Sequence, residues 1–178
     1  MAARCSLSDA YERLEQIGKT YFINGEKIKS RKKTSNKWFE TQDSISYWDD
    51  FSKPKIIFQE IVQESQFLLD KNKGLYCNDT GRIIVGKDLD FLIGILNSKL
   101  FFFAVKHYYG GGVLGEHGIR MKHTFFGNFS CIARVENITK LAAFQSENYS
   151  EERQQVIDEI IFNYYNLTNE ERLFIDSQ

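Results

Sequence analysis

With 178 residues, 42% hydrophobic and 15% aromatic, the chain is sized for one well-buried domain with a small appendage, and its composition excludes a disordered protein. Three cysteines, Cys5, Cys77 and Cys131, match neither a disulfide framework nor the paired spacing of a zinc site and read as reduced thiols. The net charge of −1 hides a polarity: Lys19, Lys27, Lys29, Arg31, Lys32, Lys33 and Lys37 make the N-terminal third basic, whereas Glu147, Glu151, Glu152, Asp158, Glu159, Glu170, Glu171 and Asp176 make the tail acidic.

The opening residues, MAARCSLSDAYERL, hold no apolar signal core, which predicts a cytoplasmic protein. Ser6 or Ser8 caps a predicted helix over residues 6–17, with Leu7, Tyr11, Leu14 and Ile17 on one face and Gly18 as its stop. Residues 19–37 are polar and basic without a period, a loop with a short hairpin expected at Asn24-Gly25. Order is expected to begin at Lys37-Trp38-Phe39-Glu40. Beyond YWDDF (residues 47–51), a strand is predicted in the second half of residues 53–61. Pro54, the only proline, stands at its start, where a missing donor is tolerated. Residues 66–70 and 82–85 are further strands, separated by the turns at residues 71–74 and 78–81.

The stretch DLDFLIGILNSKLFFFAVKHYY (residues 88–109) is the centre of the pattern. Leu89, Leu92, Ile93, Leu96, Leu100 and Phe103 fall at helical spacing behind Asp88 as N-cap, and Phe91, Ile95, Phe102 and Val105 make the other faces apolar too. Such a helix is covered on several sides and belongs in a core. Gly94 and Asn97-Ser98-Lys99 break its apolar run into pieces short of the roughly 20 residues a membrane span requires, so no membrane partner is expected.

Glycine-rich GGGVLGEHGIRMKH (residues 110–123) follows. Glycines before Arg120 and Lys122 suit close approach of backbone to a phosphate, but no strand precedes them and no helix follows, so dinucleotide and P-loop geometries are not supported. His107, His117 and His123 fit no standard metal-ligand pair. A strand is predicted over residues 125–133 and a helical turn over residues 138–144. Residues 150–165 form an amphipathic helix capped by Ser150, with Val156, Ile157, Ile160, Ile161 and Tyr164 on one face. Thr168 and Glu171 make a capping box for a last helix whose Leu173, Phe174 and Ile175 can pack back. The expected fold is α+β: a mixed, mainly antiparallel sheet packed on a central buried helix, with a C-terminal helical hairpin, divided into residues 1–145 and 146–178.

No catalytic constellation is visible. There is no nucleophile elbow and no CxxC; Asp49 and Asp50 read as turn residues, and Glu60 follows Lys55 in the wrong order for a nuclease cluster. No cofactor or metal is expected. Basic residues do alternate with aromatics: Lys29, Arg31, Lys32, Lys33, Lys37 and Trp38, then Tyr47 and Trp48, then Tyr108, Tyr109, Arg120 and Lys122. That pattern suits nucleic acid, although the tryptophans also suit a core and the lysines a solvated loop.

In order, KWFE (residues 37–40), FSKPKIIFQEI (51–61), LIGILNSKL (92–100) and GIRMKHTFF (118–126) resemble the TaqI-like C-terminal specificity domain, and the tail IDEIIFNYYNLTNEER (157–172) is similar to the C-terminal ending common in such enzymes. The resemblance implies the target-recognition part of an N6-adenine DNA methyltransferase or of a fused type IIG restriction–modification enzyme, which clamps duplex DNA against a methylase domain in the same or a separate chain. It departs from the family pattern at Phe126-Gly127-Asn128-Phe129-Ser130, where a proline-containing segment is usual. With Pro54 the only proline, the Asn-Pro-Pro-Tyr motif of a complete methylase cannot exist, so methyl transfer is excluded for this polypeptide by itself, and a fragment or split subunit of a larger bacterial enzyme is implied. Lys29, Arg31, Lys32 and Lys33 are then the expected phosphate contacts, Lys37 is a further expected DNA-binding residue, Arg120 and Lys122 reach guanine edges or phosphates, and Tyr47 and Trp48 shape a loop or wedge against the backbone. Asn97, Ser98 and Lys99 are expected to be structural, a polar notch pairing buried groups of the sheet. The rival readings are a protein-interaction module docked through the acidic tail and exposed aromatics, and an enzyme whose site is not legible.

Overall fold

The computed structural model describes residues 46–77, 80–109 and 118–178 in full, and residues 21–23, 26–28 and 113–114 as strand backbone. Contacts divide the chain into two units, Met1–Tyr47 and Trp48–Gln178. In the first, β1 (Tyr21–Ile23) and β2 (Glu26–Ile28) pair antiparallel with Ile23 opposite Glu26, the two-residue hairpin that Asn24-Gly25 predicts. The predicted helix over residues 6–17 and the ordered start at residues 37–40 lie outside the described residues.

In the second unit, β3 (Lys55–Gln59) is the centre of an antiparallel sheet between β5 (Phe67–Asp70) and β6 (Gly81–Val85). Strand alternation decides which side chains are buried. Ile56 and Phe58 face the core and lie opposite Leu69 and Phe67, while Lys55 lies opposite Asp70 on the other face. After Glu60 the chain enters a second antiparallel sheet, in which β8 (Gly118–Arg120) pairs with β4 (Ile61–Val62) and β7 (Val113–Leu114). The sheet expected from the strand pattern is therefore two small sheets joined at a corner. Glu60 fixes that corner, its N–H donating to Thr80 O at 3.0 Å and its carbonyl accepting from Met121 N at 2.6 Å.

The apolar stretch is helical and central, but it is two helices. α1 (Leu89–Leu96) buries Leu89, Phe91, Ile93, Ile95 and Leu96, and α2 (Lys99–Ala104) buries Leu100 and Phe101 before a π-helical turn, Val105–Tyr109. Asp88 holds the N-cap position with φ 55° and makes no side-chain cap; its carboxylate instead pairs with Arg134 at 2.5 Å. At the break, Ser98 accepts from Phe101 N and caps α2. Asn97 turns its amide to the edge of β5, accepting from Phe67 N and donating to Phe67 O, both at 2.9 Å. The polar notch is thus an edge-strand mimic that satisfies the exposed sheet backbone.

Residues 125–133 are not a strand. A short helix, α3 (His123–Phe126), is followed by irregular chain, because Phe126 and Phe129 insert at a three-residue spacing into an aromatic cluster with Phe58, Phe67 and Phe101, at ring separations of 5.0 to 6.2 Å. The helical turn at residues 138–144 is a full helix, α4 (Glu136–Glu147), whose Ile138 and Ala142 pack on α1. α5 (Glu151–Tyr164) begins at Ser150, which accepts from Arg153 N, and α6 (Asn169–Asp176) carries the complete capping box of Thr168 and Glu171. Ile157, Ile161 and Phe162 of α5 and Ile175 of α6 belong to the same core as Ile56, Phe58 and α1. Phe174 lies edge-on to Phe103 of α2, so the last helix docks on α2, while Arg172 ties it to α5 through Glu159 and Asn163.

Candidate nucleic-acid interface

The strand register brings four charged side chains together at the corner between the sheets. Arg82 lies opposite Phe58 on β6, and Glu60 follows Phe58 by two residues, so both project from the same side of the sheet. Arg120 closes β8, with Lys122 two residues on. Glu60 accepts from Arg82 Nη2 at 2.5 Å, and its Oε1 is 3.4 Å from Lys122 Nζ and 3.7 Å from Arg120 Nε. The Glu60 side chain is 14% exposed, whereas the three cationic side chains are 36–43% exposed. Burial pushes the Glu60 carboxyl up, but Lys122 and Arg82 together outweigh it and hold the group below the usual carboxylate range. Arg120 Nε is shielded from solvent and makes no hydrogen bond among the described residues. The corner therefore presents three cations around one ionised carboxylate.

A different group forms at the opposite end of β3. Lys55 is fully buried, donating to Asp70 Oδ2 at 2.6 Å and to Phe51 O at 2.9 Å, and Asp70 also accepts from Leu75 N at 3.0 Å. Burial raises the Asp70 carboxyl, and the Lys55 and backbone hydrogen bonds more than reverse the effect, leaving it low. This ion pair fastens the 3-10 turn Trp48–Ser52 and the loop after β5 to the sheet. On them Phe51 stacks with Tyr76 at 5.0 Å, and Trp48 lies 6.1 Å from Tyr76. Trp48 and Tyr76 are 59% and 62% exposed, so Trp48 is a surface residue and not part of the core.

Of the residues expected to touch a partner, Arg120 and Lys122 are brought together. Trp48 is not with them: five residues of β3, about 17 Å at ~3.3 Å per residue, separate the two ends. Tyr47 ends the first unit and is exposed. Lys29, Arg31, Lys32, Lys33 and Lys37 lie outside the described residues. Glu60, Arg82 and Tyr76 are the additions of the structure; the sequence signal for Glu60 and Arg82 was the alternation of β3 and β6, usable only once the register is known. Asp49 and Asp50 sit in the 3-10 turn, with Asp50 bound to Lys53 at 2.7 Å. Among the described residues no group of three His, Cys, Asp or Glu side chains could hold a metal, and no helix is long and apolar enough to cross a membrane.

A pair of small sheets packed on broken apolar helices, with a cationic corner at their junction, makes up an α+β fold. The chain belongs to the family of the TaqI-like C-terminal specificity domain, whose model matches residues 12–113. A specificity domain is the target-recognition part of a restriction–modification enzyme. The match spans KWFE, FSKPKIIFQEI and LIGILNSKL and includes Glu60 and Arg82, while GIRMKHTFF and the helical tail lie beyond it. No curated protein matches the chain.

Proposed function

We propose that this chain recognises duplex DNA in a sequence-specific way as the specificity domain of a restriction–modification N6-adenine methyltransferase, of type IIG or a split relative, and that it is not catalytic by itself. The observation that carries this reading is the convergence of Arg82, Arg120 and Lys122 at one exposed corner of a specificity-family fold. Arginine at such a position offers paired donors to guanine O6 and N7, and lysine offers a point charge to phosphate. Lys29, Arg31, Lys32, Lys33 and Lys37 supply further phosphate contacts, Tyr47 and Trp48 bear on the backbone, and the setting is a bacterial cytoplasm. The division at residue 145 is one of role: residues 1–145 carry recognition, and residues 146–178 buttress the sheets and helices of the second unit through the shared core.

The test is binding of the chain to random duplex across a salt series, with an acidic polymer as control. Expected is a linear log–log dependence with a slope of about −0.9 per phosphate contact, flattened when Lys29, Arg31, Lys32 and Lys33 become Ala; an unchanged slope removes that loop from the interface. Arg120→Ala should cost about 1–3 kcal/mol at one base position, and an equal loss on all sequences would make Arg120 a phosphate contact only.

A second reading is favoured by Phe144, Tyr149 and Val156, all exposed on α4, α5 and their connection. In it that face docks a protein partner, the methyltransferase domain being the first candidate, and DNA is not touched. Absence of duplex binding at low salt, restored by adding the methylase partner, separates a docked recognition domain from a pure interaction module.

A further inference from the structure

The cationic corner holds a carboxylate that a simple phosphate clamp would not contain. A group that only attracted phosphates would gain from losing Glu60, since the carboxylate repels every phosphate that approaches. Yet the backbone of Glu60 is held to Thr80 and Met121 at the junction of the two sheets, which keeps the carboxylate among these cations. Its contacts are also unequal. The short bond goes to Arg82 at 2.5 Å, whereas Lys122 at 3.4 Å and Arg120 at 3.7 Å lie beyond the usual range of a charged hydrogen bond and are held chiefly by charge. Arg120 Nε is sheltered, so what Arg120 can offer a ligand is the exposed part of its side chain, which is 39% exposed.

We propose that Glu60 is a positioning residue that sets the selectivity of this corner. It anchors Arg82, gathers Arg120 and Lys122 against their mutual repulsion while leaving their donors available for base edges, and lowers affinity for sequence-independent phosphate. This rests on the DNA-recognition reading above. Discrimination is a difference of affinities, and a fixed repulsive group that weakens all non-specific complexes raises it.

The experiment is selection of duplexes from a random library by the full chain, with affinities measured over a salt series, for wild type, Glu60→Gln and Glu60→Asp. Wild type is expected to enrich a motif. Glu60→Gln frees one cation for phosphate, so random duplex should bind about five- to tenfold tighter near 0.1 M salt, with a slope steeper by about 0.9 and with lower information in the motif. Glu60→Asp keeps the charge but draws it back by one methylene; its slope should match wild type while the motif degrades, and it answers the question if Glu60→Gln fails to fold. A wild type that binds no duplex overturns the DNA reading and this inference together. A wild type that selects a motif, with Glu60→Gln selecting the same motif at unchanged or lower affinity, overturns the role of Glu60 alone.

Discussion

Lys55 has no exposed surface, and among the described residues its ammonium donates to Asp70 and to the Phe51 carbonyl in place of water. Removing its charge leaves the Asp70 carboxylate buried and unpaired, so Lys55→Met should cost about 3–5 kcal/mol in denaturant unfolding, and Lys55→Met with Asp70→Leu should recover most of that loss. Because the pair also holds the turn bearing Trp48, fluorescence of the tryptophans should respond to the single variant before global unfolding. Asp158 behaves in the opposite sense. It is buried on α5, accepting from Lys99 N at 2.9 Å, and burial lifts its carboxyl to about 6 against the hydrogen bonds of Lys99 N–H and Gln154 and the charge of Lys99. A folded pKa above the unfolded 3.8 means that the fold holds the extra proton between about pH 4 and 6, so this group's contribution declines as pH rises through that window. Asp158→Asn keeps an acceptor for Lys99 N–H. Its stability should gain on wild type across that window, reaching about 3 kcal/mol at pH 7.5, as read by melting curves at several pH values; a gap independent of pH would show that Asp158 titrates in the fold as it does in the unfolded chain.

At the scale of elements, the contact of α1 with α4 depends on one missing side chain. A Cβ at Gly94 would sit 3.0 Å from both Ala142 Cβ and Ile138 Cγ2. Gly94→Ala gains up to about 1 kcal/mol of helix propensity, yet Ala142 Cβ is fixed to its own helix and must move with it. The net expectation is a loss of about 1–2 kcal/mol, measured by urea unfolding; a stabilised variant would mean that the two helices separate without cost. The sequence predicts only a helical turn here because α4 is polar apart from Ile138, Leu141, Ala142, Ala143 and Phe144, and its packing rests on a small residue of the partner helix. The segment after α3 departs from the predicted strand for a related reason. Phe125 and Phe126 have strand propensity, but Phe126 and Phe129 fill an aromatic cluster whose other members lie on β3, β5 and α2. Where capping and periodicity agreed, as at Ser150 and at Thr168 with Glu171, local sequence was enough.

Over the whole second unit, the two sheets and the C-terminal helices share one core. Removing residues 146–178 takes Ile157, Ile161, Phe162 and Ile175 from beside the β3 and α1 side chains. The truncated chain should lose its cooperative melting transition, as seen by near-ultraviolet circular dichroism; an intact transition would make the tail an appendage. The α+β class, the Asn24-Gly25 hairpin, the strands around β3, the buried apolar helices with their notch at Asn97-Ser98, and both C-terminal helices are legible in the sequence, because turn residues, caps and periodicity act over a few residues. So is the family, through KWFE, FSKPKIIFQEI and LIGILNSKL. The division into two sheets, the burial of Lys55 and the meeting of Glu60 with Arg82, Arg120 and Lys122 were decided only by tertiary structure. Those side chains are separated by tens of residues, and what joins them is strand register and the burial of Phe58, Phe67 and Phe126, which no local spacing encodes.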